Sequence, residues 1–463
     1  MTASDSARDD HASRRSRSIR LAVVTSFLSK AGTVLLQLLS IPLAIRVLGR
    51  EEFGVYTTVN LTLSTLALLQ VGVGPALTHG LARARANEDT DAQRKLGSSA
   101  FFLMTGIALT AGLLLAGVLM NVPITTLYGD AYAGKEHVLR PALWIGLILF
   151  ILIFILNLTE RVREGHLEVA SNNLWGAAGN VLAAACVGIG IWWIPQIWYV
   201  VVAVHGSMVL AKLCNTLALW RKHPLMRPRI ASFRADAARR LFTDGLAFST
   251  CCLLPGIIEF NYCGWLVGRM AGLGDVALYG VFISLTVMQL GFVVMISAPT
   301  WPAVAEALVR NDRAWARKAA WRLYRYGIAF ALCSATGLVL LGPIVFPLWL
   351  GIEFHSVSRV VLAAYGLYFV AHVLRHINHT MMIGTGQIPK LVPVQLVESA
   401  VVAAAAWFTI RHGGMAAMLA ATGVILLLGG GAILPRYVRA VLAKEPDEPA
   451  EKDIATDGKV GAT

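Results

Sequence analysis

The chain has 463 residues, of which 56% are hydrophobic and only 14% charged, with a mean hydropathy of +0.64; soluble domains carry about 25% charged residues. Long, nearly uncharged apolar runs recur along it, which excludes a soluble globular domain and, lacking the roughly 10-residue alternating segments of a barrel, an outer-membrane barrel too. The net charge of +13 would suit nucleic acid, but its placement points to a membrane instead.

Residues 1–20 (MTASDSARDDHASRRSRSIR) are polar and basic. The apolar run behind them is longer than the core of a signal peptide and has no clear A-x-A site, so they read as a retained cytoplasmic basic tail. Twelve apolar spans follow, at about 22–47, 52–79, 98–121, 139–159, 169–191, 197–220, 244–268, 276–301, 325–348, 359–383, 391–411 and 415–438. Each is long enough to cross a bilayer as a helix, which takes about 20 residues. The first six form an N-terminal lobe over 21–220 and the last six a C-terminal lobe over 244–440. Between them lies a basic segment, 221–243. Its Phe233, Ala237 and Leu241 at i, i+4 and i+8, flanked by Arg234, Arg239 and Arg240, predict an amphipathic linker helix on the anionic cytoplasmic leaflet. Residues 441–463 end the chain as a disordered cytoplasmic tail, acidic and poor in apolar residues. The six cysteines (Cys186, Cys214, Cys251, Cys252, Cys263 and Cys333) all fall within spans and form no C-x-x-C motif; they read as small packing residues.

With the N-terminus inside, 30 of the 40 Lys and Arg fall on the cytoplasmic side, seven fall outside, and Lys30, Lys212 and Arg375 lie within spans. That asymmetry sets the orientation, with both termini cytoplasmic in a bacterial inner (plasma) membrane.

The halves echo each other. LGREEFGVY (48–56) answers LGDVALYGVF (273–282) at offsets of 225 and 226, and LNLTERVREGHL from Leu156 answers INHTMMIGTGQI from Ile377 at an offset of 221. In the second echo Asn157 matches Asn378, Thr159 matches Thr380 and Gly165 matches Gly386. An even number of spans per half makes the repeats parallel. The expected fold is therefore an all-α polytopic membrane protein of two pseudo-symmetric six-helix bundles with a central cavity. The N-x-T triplets at Asn60, Asn157 and Asn378 sit within or at the ends of membrane helices, so these amides read as helix–helix contacts rather than glycan acceptors.

A first helix ending in L-G-x-x-x-F/Y-G-x-Y/F, then a second helix ending in Gly72-x-Gly74-Pro75 and a basic loop, resembles the Wzx-type oligosaccharide flippases of the MOP exporter superfamily. The resemblance extends over about 20–440. It implies two lobes around a V-shaped cavity in a MATE-like arrangement, alternating access, and transport of undecaprenyl-pyrophosphate-linked repeat units to the outer leaflet. The clustered His372, His376 and His379 match no signature of that family.

Such a substrate must carry two phosphates and several sugars across about 30 Å of hydrocarbon, where a bare ion costs tens of kcal/mol. A carrier needs fixed cations in a hydrated groove. Arg375, Lys30 and Lys212 all lie in the cytoplasmic halves of their spans and are the pyrophosphate-binding candidates, Arg375 first because its planar fork suits phosphate. Glu259, beside Asn261 in mid-span, is a candidate ion-coupling site or the counter-charge of Arg375. His372, His376 and His379 at i, i+4 and i+7 have a spacing that could hold a metal. The adjacent Arg375 would repel one, so they read as a polar stripe on the cavity, with Asn157, Asn378, Asn180, Gln289, Gln395 and Glu398 as further lining. No metal, cofactor or nucleotide loop is expected, and no enzyme. The expected partners are the lipid-linked oligosaccharide, membrane lipids and the polysaccharide polymerase machinery, and no nucleic acid. Two alternatives stay open: a cation-coupled drug or metabolite antiporter, which would favour acids over cations in the cavity, and a membrane-embedded glycosyltransferase or ligase, which would want a larger outer loop.

Overall fold

The structure, a computed structural model, describes residues 3–66, 72–354 and 357–443. Side chains of residues 3–23 lie outside the described residues, as do those of Cys251 and Cys252 and the tail from 444 onward. Everything regular in the described part is helical. In chain order the helices are α1 (Ala3–Leu48), α2 (Arg50–Leu66), α3 (Val73–Ala86), α4 (Thr90–Asn121), α5 (Ile124–Tyr128), α6 (Glu136–Leu156), α7 (Leu158–Gly165), α8 (Val169–Gly190), α9 (Ile197–Val201) and α10 (Ser207–Lys222). The second half follows with α11 (Ala235–Gly256), α12 (Cys263–Met270), α13 (Leu273–Val309), α14 (Arg313–Leu350), α15 (Arg359–Gly384), α16 (Ile388–Leu428) and α17 (Gly430–Ala443).

Nine helical segments of the described chain are long and apolar enough to cross a membrane unaided. Two further crossings are broken ones, α2 with α3 and α11 with α12. The segment 388–443 is folded back at Gly414, whose φ of 63° and ψ of −160° interrupt α16, so it crosses twice. The described residues thus make twelve crossings, six in each half. The second was expected to end at Gly72-x-Gly74-Pro75; instead α3 starts there and runs on to its basic end at Arg83 and Arg85. Gly72 has a φ of 54°, and a Cβ on it would collide with the backbone of Gly245 in α11. Only glycine fits that position.

In the N-terminal half α1 lies along α8. Asn180 donates to Thr33 (2.9 Å) and Asn173 to Thr25 (3.2 Å), while Gly32 lets the backbone of Ala177 come close. Small residues and shared amide–hydroxyl bonds are how helices associate where lipid offers no hydrophobic gain. In the C-terminal half α15 is the hub: its apolar window is 61% buried, against 11% for α14.

The halves meet where α2 crosses α13, and the echoing motifs form the crossing. A side chain at Gly54 would strike the Leu273 carbonyl, and one at Gly280 would strike Thr57; these glycines are the matched centres of FGVY and YGVF. Arg50, matched to Asp275, pairs with Asp275 itself at 3.8 Å. Contact between repeat-related positions is what a pseudo-two-fold axis produces. Arg50 also donates through Nε to the Gly274 carbonyl (2.9 Å) and through Nη1 to the Glu353 carbonyl (3.1 Å), and lies over the Phe354 ring. Arg46 donates to the Leu348 carbonyl (2.5 Å) and Arg269 to the Thr126 carbonyl (2.6 Å). All of these contacts lie at the cation-poor ends of the helices.

The segment 221–243 departs from expectation. It holds two 3-10 turns, Pro224–Met226 and Ile230–Ser232, after which α11 already begins at Ala235. Phe233 therefore precedes the helix rather than lying on it. The reason is local: Ser98 and Ser99, two turns into α4, accept the backbone N–H groups of Arg229 (3.2 Å) and Arg234 (2.9 Å), which pins an extended turn against that helix.

Candidate functional site

Pro255 sits inside α11, and the chain after it widens into a π-helical turn, Ile257–Tyr262. Proline lacks an N–H and crowds the preceding turn, and such wide turns leave backbone groups for other partners. Here the Glu259 carbonyl accepts the Tyr279 hydroxyl from α13. The Glu259 side chain, 2% exposed, points into the C-terminal half.

Three residues on one face of α15 meet it. The Tyr368 hydroxyl donates to Glu259 Oε2 at 3.0 Å, and His372 Nδ1 lies 2.7 Å from the same oxygen. The Arg375 guanidinium pairs with Oε1. Arg375 also faces Glu398 of α16 at 3.7 Å, and the other oxygen of Glu398 accepts the Gly430 N–H at 2.5 Å. The space among Pro255, Glu259, Arg375, Glu398 and Ser399 has no room for a water molecule. Two carboxylates and one guanidinium leave one negative charge uncompensated, and an unpaired buried charge is costly. One proton within the cluster would balance it.

The other expected site residues disperse. His376 bonds Ser297 of α13 (2.9 Å), while His379 Nε2 is buried with no hydrogen-bond partner among the described residues. The three imidazoles thus share a helix face but no common centre. Asn378 is fully buried, accepting from Tyr324 and donating to the Gly430 carbonyl (3.0 Å). Asn180 ties α8 to α1, and Gln289 accepts from Ser334 of α14 at 2.8 Å. Gln395 is buried, its Oε1 without a partner among the described residues. Asn157 joins α6 to α7 in right-handed helical conformation. Asn261 leaves the π turn in the opposite direction from Glu259: it accepts from Ser64 (3.1 Å) and donates to Thr65 (3.0 Å) of α2, across to the N-terminal half.

The three intramembrane cations also separate. Arg375 is paired as described, and Lys212 is paired with Glu160 of α7. Lys30 is different. The α1 face that holds Thr25, Gly32 and Thr33 is committed to α8, and the Lys30 amino group reaches the other way, against Gly291 of α13. It has no carboxylate partner among the described residues. Lys30 therefore lies where the two halves face each other. At the cation-rich end of the N-terminal half, burial raises the Glu168 carboxyl, but bonds from Lys222 and His223 outweigh it and hold it at about 2; Arg163 pairs with it at 2.5 Å.

Sequence reasoning missed Tyr368, Tyr279 and the Arg50 cluster. The matched Leu-Gly-Arg and Leu-Gly-Asp triplets carried a signal for the last, since residues at equivalent places of a two-fold repeat can meet at its axis. Nothing local in the sequence marks the tyrosines.

Residues 22–308 match the family profile described as "Polysaccharide biosynthesis protein". No curated protein matches the chain. Among solved structures, a multidrug-resistance MATE transporter of the MOP superfamily in an inward-facing conformation aligns with 91% of this chain and 98% of its own at 14% identity and a TM-score of 0.77. An outward-facing MATE transporter of that superfamily aligns with 93% and 96% at 14% identity and a TM-score of 0.66. A MOP transporter from Pyrococcus furiosus, described as having reversed binding-pocket polarity, aligns with 91% and 95% at 14% identity and a TM-score of 0.66. The fold is that of MOP transporters.

Proposed function

This chain belongs to the polysaccharide biosynthesis protein family, and on that premise we propose that it is a flippase. It moves oligosaccharide repeat units linked to undecaprenyl pyrophosphate from the cytoplasmic to the periplasmic leaflet, with its termini in the cytoplasm, for surface polysaccharide assembly. The observation that carries this reading is Lys30, a cation in the cytoplasmic half of its span that faces the other lobe with no acid to neutralise it among the described residues. A charge within a membrane helix costs about 2.5–3.5 kcal/mol on insertion scales and needs a partner; a pyrophosphate arriving from the cytoplasmic leaflet is that partner. The lobe contacts at the cation-poor end, around Arg50, Arg46 and Arg269, support a resting state open toward the cytoplasm.

Arg375 and Lys212 take a different part from the one the sequence suggested. Each is already neutralised within its own lobe, so they shape the walls rather than meet the pyrophosphate first. The Glu259–His372–Arg375–Glu398 cluster is the coupling site, its odd charge balanced by a proton drawn from the gradient. Asn261, on the same π turn, carries a change at Glu259 to α2 of the other lobe.

The test is made in cells. At matched membrane levels Lys30→Ala should abolish surface polysaccharide and accumulate lipid-linked repeat units, and Lys30→Arg should retain part of the activity. Normal polysaccharide in Lys30→Ala would overturn the assignment of Lys30.

A further inference from the structure

A groove on the lipid-facing side of α4, outside the proposed transport path, combines a cavity for an acyl chain with a segment of five exposed arginines. It has a volume of about 500 Å³ and is lined by Phe102, Gly106, Thr110 and Leu114 of α4, closed on one side by Phe233 and Ala238 and without residues of α1 or α13. From Phe102 to Leu114 an α-helix rises about 18 Å, close to one leaflet of a hydrocarbon core about 30 Å thick. No atom lies within 4 Å of where a Gly106 side chain would begin. Phe233 is seated edge-on against Phe102, ring centres 6.1 Å apart.

The mouth of the groove is the turn pinned to Ser98 and Ser99. With its backbone held there, the turn leaves Arg227, Arg229, Arg234, Arg239 and Arg240 exposed. Among the described residues none of these five guanidiniums lies within ion-pair distance of a carboxylate. Beside them Ile230 is 81% exposed, an apolar side chain at the membrane surface rather than in water. Apolar tips among arginines are the pattern of a segment seated at an anionic headgroup layer.

We propose that this groove binds one anionic diacyl phospholipid of the cytoplasmic leaflet, such as phosphatidylglycerol, with an acyl chain along α4 between Phe102 and Leu114 and the phosphate on the guanidiniums of the 227–240 segment. Charge selects the headgroup: a cluster of guanidiniums attracts a net-negative lipid and gives no advantage to a zwitterionic one. The site joins α4 of the N-terminal lobe to the first turns of α11, so its lipid ties the two lobes together on the cytoplasmic side.

Purified full-length protein in detergent, incubated with dioleoyl phosphatidylglycerol or dioleoyl phosphatidylcholine and observed intact by native mass spectrometry, tests this. Wild type should retain one phosphatidylglycerol and no phosphatidylcholine. Gly106→Trp, which fills the groove, should lose that lipid while keeping a wild-type melting temperature; Gly106→Leu serves the same purpose if the larger side chain unfolds the protein. Arg229→Glu with Arg234→Glu should lose it as well. Equal retention of the two lipids, displacement of phosphatidylglycerol by undecaprenyl pyrophosphate, or undiminished retention when the groove is filled would each overturn the proposal, the last by reducing the interaction to surface charge.

Discussion

Arg375 shows what a single residue in a membrane span can and cannot reveal. Its sequence neighbourhood on α15 contains no acid, which left Glu259, Glu398 or an anionic ligand as its counter-charge and favoured the ligand. The structure places both carboxylates against it, because α16 lies along α15 and the π turn that carries Glu259 packs on α16 in turn, and that packing cannot be seen in residues 368–382. A guanidinium between two buried acids is a structural charge: removing it leaves both carboxylates uncompensated, a loss of about 3–5 kcal/mol for a broken buried pair. Arg375→Ala should therefore lower the unfolding temperature of the purified protein markedly, and adding Glu259→Gln and Glu398→Gln to that variant should restore much of it. Arg375→Ala with unchanged stability would mean that the arginine is free for a ligand. By contrast, the depth and charge of Lys30 were both legible, and only its direction, away from α8 and toward Gly291, needed coordinates.

Among the elements, the helices were legible as apolar runs and their breaks were not. The widened turn at Ile257–Tyr262 follows Pro255, yet a proline in a long apolar run also fits a simple kink, so hydropathy gave no sign that Glu259 and Asn261 would leave the helix toward different lobes. The reversal at Gly414, by contrast, falls in the break read between the spans 391–411 and 415–438. The internal repeat carried more. The glycines that FGVY and YGVF share are the two that let α2 and α13 cross, and there a side chain has no room because the opposing atoms are backbone or a packed threonine. Gly54→Leu should hold the lobes apart at the cation-poor face. A cysteine introduced at Leu273, a buried position packed against Gly54 in the parent protein, should then react with a membrane-impermeant thiol reagent from outside. Protection equal to that of the parent cysteine variant would show that the crossing tolerates the added bulk.

For the whole molecule, composition settled a helical membrane protein, and the even, doubled pattern of spans settled two lobes of parallel sense; MOP transporters share this fold. The seam was not legible, because it is built from pairs distant in sequence: Arg50 with Asp275, Asn261 with Ser64 and Thr65, Lys30 against Gly291. In the proposed mechanism the substrate passes along that seam, and Lys30 is a cation there without a carboxylate partner among the described residues. The most direct measurement is flipping itself. Purified protein in liposomes would be given a fluorescent undecaprenyl-pyrophosphate oligosaccharide placed in one leaflet, and its arrival in the other read with a lectin or a membrane-impermeant quencher. The account predicts transfer with wild-type protein, little with Lys30→Ala, and partial recovery with Lys30→Arg. Wild-type liposomes that move the lipid-linked sugar no faster than protein-free ones, under an imposed proton or sodium gradient of either sign, would contradict it.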